Sequence, residues 1–396
     1  MSRLFVDPLR AADPLALPAL ERELTLEWLV WDAYVAGKRR VDVHPLFLDR
    51  AAHEDAIAIA ERAWKLVAHD RDDEERARYR LHPDVERLAA AARSAGDLGS
   101  IARVDLLLRD DDRFVACEVN ADCPGGHNET LALPRLARAA GLRRGIDPTH
   151  VAPRLVERLL EIAGGLPIAL VYATAWAEDL QVCALLERLI TERGGRAVRC
   201  SPTQLTRHAS GRVAYRGEPI GALYRFYPLE YMEEQSNLDA IVHATERGLL
   251  KSMSSFACIH AQSKLAMARA EPNDVFPETI AFADMPRERL LAERDEWVLK
   301  RDLSRVGDHV FLGSLAEDAE WKVLCEEIAE AEREGDVWIA QRFVPQKTIT
   351  TPWGPRWATL GVYLIDGVFA GYFARLAETV HCSHEALVLP VFVGAA

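Results

Sequence analysis

Two short patterns on either side of a charged turn bring together residue types suited to phosphate and metal chemistry: Arg103-x-Asp105 in ARVDLLL, and Glu118-x-Asn120 in RFVACEVN. Alternate residues of a strand project from one face, so a hairpin can gather Asp105, Glu118 and Asn120 as hard oxygen ligands for Mg²⁺. Arg103 would face the same phosphates. An edge hairpin carrying solvated charges fits the spacing equally well. Lys264 lies in HAQSKLAMA, and Lys300 ends the strand pattern WVLKRD just ahead of a loop containing Gly307. A strand-borne lysine beside a closing loop can neutralise and position nucleotide phosphates, although either lysine taken singly also reads as a surface residue. WIAQRFVP offers the Gln341 amide and the backbone of Arg342 to Val344 to an adenine edge, or is an ordinary buried strand. Arg375, in the otherwise apolar GYFARLAE, needs an anionic partner if buried. That partner is a transferred phosphoryl group or acyl phosphate, or else a structural carboxylate.

The elements that must position these residues are legible in outline. Residues 1–97 carry helical spacing, as in HEDAIAIAERAWKLVAHD, and read as a helical N-terminal segment that ends in AGDLGSIA. Residues 98–165 hold the hairpin, with RDDD as its turn, and a helix over ETLALPRLARAA. Residues 166–262 run strand, helix, strand and strand (LPIALVYATAW, DLQVCALLERLITERGG, RAVRCS, GALYRFYP), a Rossmann-like α/β unit. It has no GxGxxG sequence, so no dinucleotide is indicated. Residues 263–396 alternate strands with the amphipathic helix AEWKVLCEEIAEAER and close on a long hairpin turning at Asp366-Gly367.

Composition narrows the class. The chain has 396 residues, enough for about two to three domains, and a formal charge of −13, which disfavours a nucleic-acid partner held through phosphates. Seven cysteines without a CxxC pair argue against a disulfide framework. The apolar N-terminal stretch is broken by Asp7, Pro8, Asp13 and Pro14, unlike a signal peptide, and no apolar run is long enough for a membrane helix. A cytoplasmic setting is expected. Cys123 with His127, and His381 and Cys382 with His384, each fall short of a four-ligand zinc set. Glu230, Glu233 and Glu234 either attract a polyamine or form a solvated surface.

Taken in order, RVDLLLRDDDRFVACEVNADCPGG, LYRFYPLEYM, QSKLAMA and VLKRDLSRVGDHV resemble the synthetase domain of the glutathionylspermidine synthetase family from about residue 98 to the C-terminus. The resemblance implies an α/β (α+β), circularly permuted ATP-grasp fold with an inserted Rossmann-like pre-ATP-grasp domain. It implies Mg²⁺ ligands at Asp105, Glu118 and Asn120, and ATP-phosphate lysines at Lys264 and Lys300 with the loop through Ser304 and Gly307. It also implies an adenine segment at Gln341, Arg342 and Val344, and phosphoryl-stabilising arginines at Arg103 and Arg375. The activity implied is ATP-dependent ligation of a carboxylate to an amine, on an amino acid, peptide or polyamine. A nucleotide-binding homologue without turnover and a phosphotransferase without ligation are the alternatives. Arg301 stands where proline is common and Ser304 where glycine is common; Leu229 and Tyr231 replace aromatic residues usual in the family. No amidase domain is expected.

Overall fold

The computed structural model describes residues 3–7, 17–35, 37–68, 73–305 and 307–394. At its centre is a six-stranded antiparallel sheet in the order Leu387–Leu389, Val368–Ala377, Gly354–Ile365, Ile101–Leu108 and Phe114–Asn120, with Thr348–Thr351 added to the Gly354–Ile365 strand. The sheet is buried on both faces. Ala102, Val104, Leu106, Val362, Leu364 and Ala374 meet the helix Arg50–Val67, whose alanines 52, 56, 60 and 63 let it lie close. Asp49 caps that helix by accepting a hydrogen bond from Ala52 N at 2.6 Å. Ile101, Tyr363, Ile365 and Phe373 face the helices His127–Ala139 and Val151–Ala163. The long hairpin turns at Asp366 (φ 49°) and Gly367 (φ 76°), the two left-handed residues that a tight hairpin needs.

The expected α/β unit is present. Its parallel sheet runs Lys251–Met253, Ala222–Phe226, Ile168–Tyr172, Ala197–Cys200, with the helix Ala177–Glu192 crossing between the latter two. A second antiparallel sheet, Thr279–Ala281, Trp338–Arg342, Trp297–Arg301, Val310–Leu312, buries Trp297, Leu299, Trp338 and Ala340 with Trp321 and Cys325 of the helix Asp318–Arg333. Among the described residues no helix is long and apolar enough to cross a membrane.

The N-terminal residues depart from the helical expectation. Leu4–Val6 and Leu46–Leu48 form strands that pair with each other, and the second pairs with Val391–Val393 near the other end of the chain. Strands of three residues leave too short an alternation to register as a pattern, and their partner lies far along the chain.

The central sheet is joined to the parallel one by a buried ion pair. Arg225 bonds the Asp122 carboxylate, and both side chains are almost fully buried. Asp122 also accepts from Leu229 N at 2.9 Å, and Arg225 donates to Tyr227 O at 2.6 Å. Asp122→Ala would leave a buried guanidinium uncompensated, which costs about 3–5 kcal/mol. Denaturant unfolding should show a loss of that order, and one below about 1 kcal/mol would contradict the account.

Candidate active site

Asp105 is the hub. Its carboxylate, 1% exposed, accepts from Arg103 Nε at 2.7 Å and Nη2 at 3.0 Å. It accepts from Arg375 Nη2 at 2.6 Å and from Asn120 Nδ2 at 3.4 Å. Burial alone would raise its pKa, but the two guanidiniums outweigh burial and hold the carboxyl below its ordinary range. Arg103 continues to Gly125 O at 3.0 Å and lies 5.3 Å from the Phe373 ring centroid. Gly361 makes room for it: a Cβ there would stand 2.8 Å from Arg103 Cδ and 2.9 Å from Phe373 O.

A bulge puts the second pair on this face. Asp105 is opposite Glu118 and Arg103 opposite Asn120, but Leu106 is opposite Ala116, so Cys117 is an extra residue. Without it, Glu118 would share the face of Ala116, which packs in the core beside the helix Arg50–Val67. The displaced Cys117 carbonyl accepts from Lys300 Nζ at 3.1 Å. Burial pushes the Cys117 thiol up to about 12 and raises Cys123 too, so neither supplies a thiolate at neutral pH.

Both lysines reach this bulge from other elements. Lys264, at the break between the short helices Ile259–Gln262 and Leu265–Arg269, pairs with Glu118 Oε1 at 3.1 Å. Its Nζ also donates to Asp302 O at 2.7 Å and Ser304 O at 3.1 Å. Burial pushes the Glu118 carboxyl up and Lys264 pulls it down, with the net shift downward. Lys300 donates to Gln341 Oε1 at 2.7 Å, and Gln341 donates to Thr279 Oγ1 at 3.1 Å.

The loop after Lys300 is pinned at several places. Arg301 pairs with Asp336 at 2.8 Å, and the Ser304 hydroxyl donates to Arg301 O at 2.9 Å. Arg305 pairs with Glu230 and lies 5.4 Å from the Tyr231 ring centroid. Gly307 has φ +80°, which favours glycine, and a Cβ there would have to displace the His381 ring, 2.9 Å away at Nε2.

Arg103, Asp105, Glu118, Asn120, Lys264, Lys300, Gln341 and Arg375 therefore converge, while Ser304 and Gly307 sit in the adjoining loop. The Arg342 side chain is not among them. Strand residues alternate, so Arg342 points to the opposite face, where it pairs with Glu293 at 2.8 Å and with Glu296, 5.2 Å from the Trp297 ring centroid. Its backbone N–H is spent on Glu278 O at 2.7 Å. Val344 is buried beyond the strand end.

Glu230 is engaged by Arg305, whereas Glu233 and Glu234 are exposed. His127 is a core residue bonded to the Tyr224 hydroxyl at 3.0 Å, lowered to about 3 by burial with help from Arg103. Among the described residues no group of three or more His, Cys, Asp or Glu is arranged to hold a metal ion.

Sequence reasoning missed Asp122, Arg225, Gln262, Asp302 and Arg305. Gln262 Oε1 accepts from Ala121 N at 2.7 Å and Asp122 N at 3.0 Å, fixing the turn after Asn120. Arg225 had a readable signal, since it interrupts an apolar strand just as Arg375 does.

Fold and site together define a mixed α/β protein with opposite charges gathered on one sheet face, a layout suited to phosphate chemistry. The family described as glutathionylspermidine synthase pre-ATP-grasp matches residues 32–393, and the chain belongs to that family. Membership points to a ligase-type activity. A glutathione synthetase-like effector from Globodera pallida, solved in apo form, superposes with a TM-score of 0.60 at 14% identity over 96% of this chain and 98% of its own. A protein of Methylobacillus flagellatus assigned as a gamma-glutamylcysteine synthetase aligns at 13% identity over 85% of each chain, with a TM-score of 0.37. No curated protein matches this sequence.

The stability that Asp105 contributes is present above an ordinary carboxylate pKa of about 3.9. It is lost as pH falls through the lowered native value. Asp105→Asn should be less stable at pH 7 by about 3 kcal/mol and should lose less further stability than the wild type on acidification below pH 4. Parallel acid profiles in denaturant titrations would contradict the pairing.

Proposed function

We propose that the chain is an ATP-dependent, ADP-forming carboxylate–amine ligase with a circularly permuted ATP-grasp fold, in which the parallel-sheet unit is the inserted pre-ATP-grasp part. The observation that carries this reading is the approach of Lys264 and Lys300, from separate elements, to the Cys117–Glu118 bulge beside Asp105. Two ammoniums at one pair of carboxylates suit a polyphosphate bridged to a cation. The chain order, with carboxylates ahead of both lysines, supports the permutation.

The residues fit Mg²⁺. It is commonly held by one or two carboxylates completed by substrate phosphates and water, and Glu118 and the Asn120 amide are oxygen donors of that kind, with Asp105 held beside them by Arg103 and Arg375. When bound, Mg²⁺ would supply charge neutralisation on the phosphates. Lys264 and Lys300 would take the phosphate oxygens, with the Gln341 amide and the backbone through Val344 toward the base.

A substrate carboxylate oxygen attacks the γ-phosphorus, the bond to the β-phosphate oxygen breaks, and ADP leaves an acyl phosphate. An amine nitrogen then adds to the acyl carbon, loses a proton, and expels inorganic phosphate to leave the amide. Charge develops on phosphoryl oxygens in the first step and on the acyl oxygen in the second. Arg375 and Arg103, held by Asp105, are cations already oriented for both, and preorganised charge is the protein's main lever in such transfers. The raised thiols of Cys117 and Cys123 argue for no covalent protein nucleophile.

Amino acids, small peptides and polyamines are the substrate classes that the relatives' names suggest. The test is ADP release by purified protein with Mg²⁺-ATP and a panel of such acids and amines, with product mass. Repeated ADP release should need acid and amine together, and the product should weigh their sum less water. Phosphorylated acid alone would make it a phosphotransferase, and no ADP with any pair would contradict turnover. Lys300→Ala and Glu118→Ala should each lower the rate at least about a hundredfold, and full activity in either would sink the site assignment.

A further inference from the structure

Lys264 sits where two short helices break, and the break decides where its ammonium goes. Ser263 is extended (φ −61°, ψ 129°) and Lys264 helical (φ −63°, ψ −23°). Lys264 supplies no side-chain cap to the helix that follows. The Leu265 N–H there is shared by Asp302 Oδ1 at 3.1 Å and the Ser263 hydroxyl oxygen at 3.2 Å. Both oxygens of the Asp302 carboxylate accept from the Ser263 hydroxyl at 2.8 Å.

Asp302 is 4% exposed. A carboxylate this dry is retained only where donors hold it, and here the donors are the residues immediately before and after Lys264. Burial still raises its pKa against those bonds and the nearby Lys264 charge. The Asp302 carbonyl accepts the Lys264 ammonium itself at 2.7 Å, while its N–H is fixed to Val337 O at 2.9 Å. One residue thus ties the lysine's backbone, the lysine's head and the second antiparallel sheet together.

We propose that Asp302 is a positioning residue for nucleotide binding: its carboxylate fixes the backbone on both sides of Lys264 and its carbonyl aims the ammonium at the phosphates. The inference rests on the nucleotide reading above. Asp302 touches no phosphate; its effect passes through Lys264.

The experiment is calorimetric binding of Mg²⁺ with a non-hydrolysable ATP analogue to the full chain, as wild type, Lys264→Met, Asp302→Ala, Asp302→Asn and the double variant Lys264→Met/Asp302→Ala. Asp302→Ala should weaken binding about tenfold or more, and the double variant should bind no worse than Lys264→Met alone, since the two act as one unit. Asp302→Asn keeps an acceptor for Leu265 N and the backbone carbonyl, and should recover most of the affinity. If Asp302→Ala fails to fold, Ser263→Ala removes half the contact and should give a smaller loss that vanishes on the Lys264→Met background. Impaired Lys264→Met with Asp302→Ala intact, or losses that add in the double variant, overturns the inference alone. A wild-type protein that binds no analogue overturns the nucleotide reading and this inference with it.

Discussion

A carboxylate buried on a sheet needs donors to hold it, and on this face Asp105 is held by two guanidiniums. Asp105 at 1% exposure is therefore the point on which the rest turns. Arg103 from its own strand and Arg375 from two strands away are drawn to it. Gly361, on the strand between them, leaves the space that Arg103 needs. The sheet register, the small residue and the two guanidiniums form one solution to one electrostatic constraint.

The second carboxylate is balanced differently. Glu118 depends on Lys264, whose other partners are carbonyls of a loop. If Glu118 turns away, the Lys264 N–H that it held is freed while the Asp302 carbonyl keeps the ammonium in place; Asp105 is held by two guanidiniums instead. The two carboxylates thus differ in their partners: Asp105 fixes the arrangement, and in the proposed function Glu118 with Lys264 is the pair that would open toward a metal and a polyanion. The loop contact of Arg305 with Glu230 brings a neighbouring element into that change.

Much of this was legible in the sequence because it obeys local periods. The hairpin, the parallel unit, the amphipathic helix Asp318–Arg333 and the Asp366-Gly367 turn are patterns of adjacent residues. The placement of Glu118 and Asn120 opposite Arg103 and Asp105 was expected for an incomplete reason: strict alternation puts residues of one strand on one face, but the Cys117 bulge selects which face. Nothing in RFVACEVN announces that extra residue. The period of two sends the Gln341 and Arg342 side chains to opposite sides, so of the two only Gln341 meets Lys300. Asp302 and Asp122 act through partners far along the chain, and local spacing carries no trace of such contacts. The strands at Leu4–Val6 and Leu46–Leu48 were hidden for the same reason.

The central claim is that this self-paired charge cluster is the seat of a metal-bound nucleotide. A crystal structure of the protein with Mg²⁺ and a non-hydrolysable ATP analogue tests it most directly. The account requires phosphate oxygens within hydrogen-bond reach of Lys264 and Lys300, Glu118 turned from Lys264 to the metal, and Asp105 still clasped by Arg103 and Arg375. A nucleotide bound elsewhere, or bound here with the Glu118–Lys264 pair intact and no metal at the bulge, would contradict it.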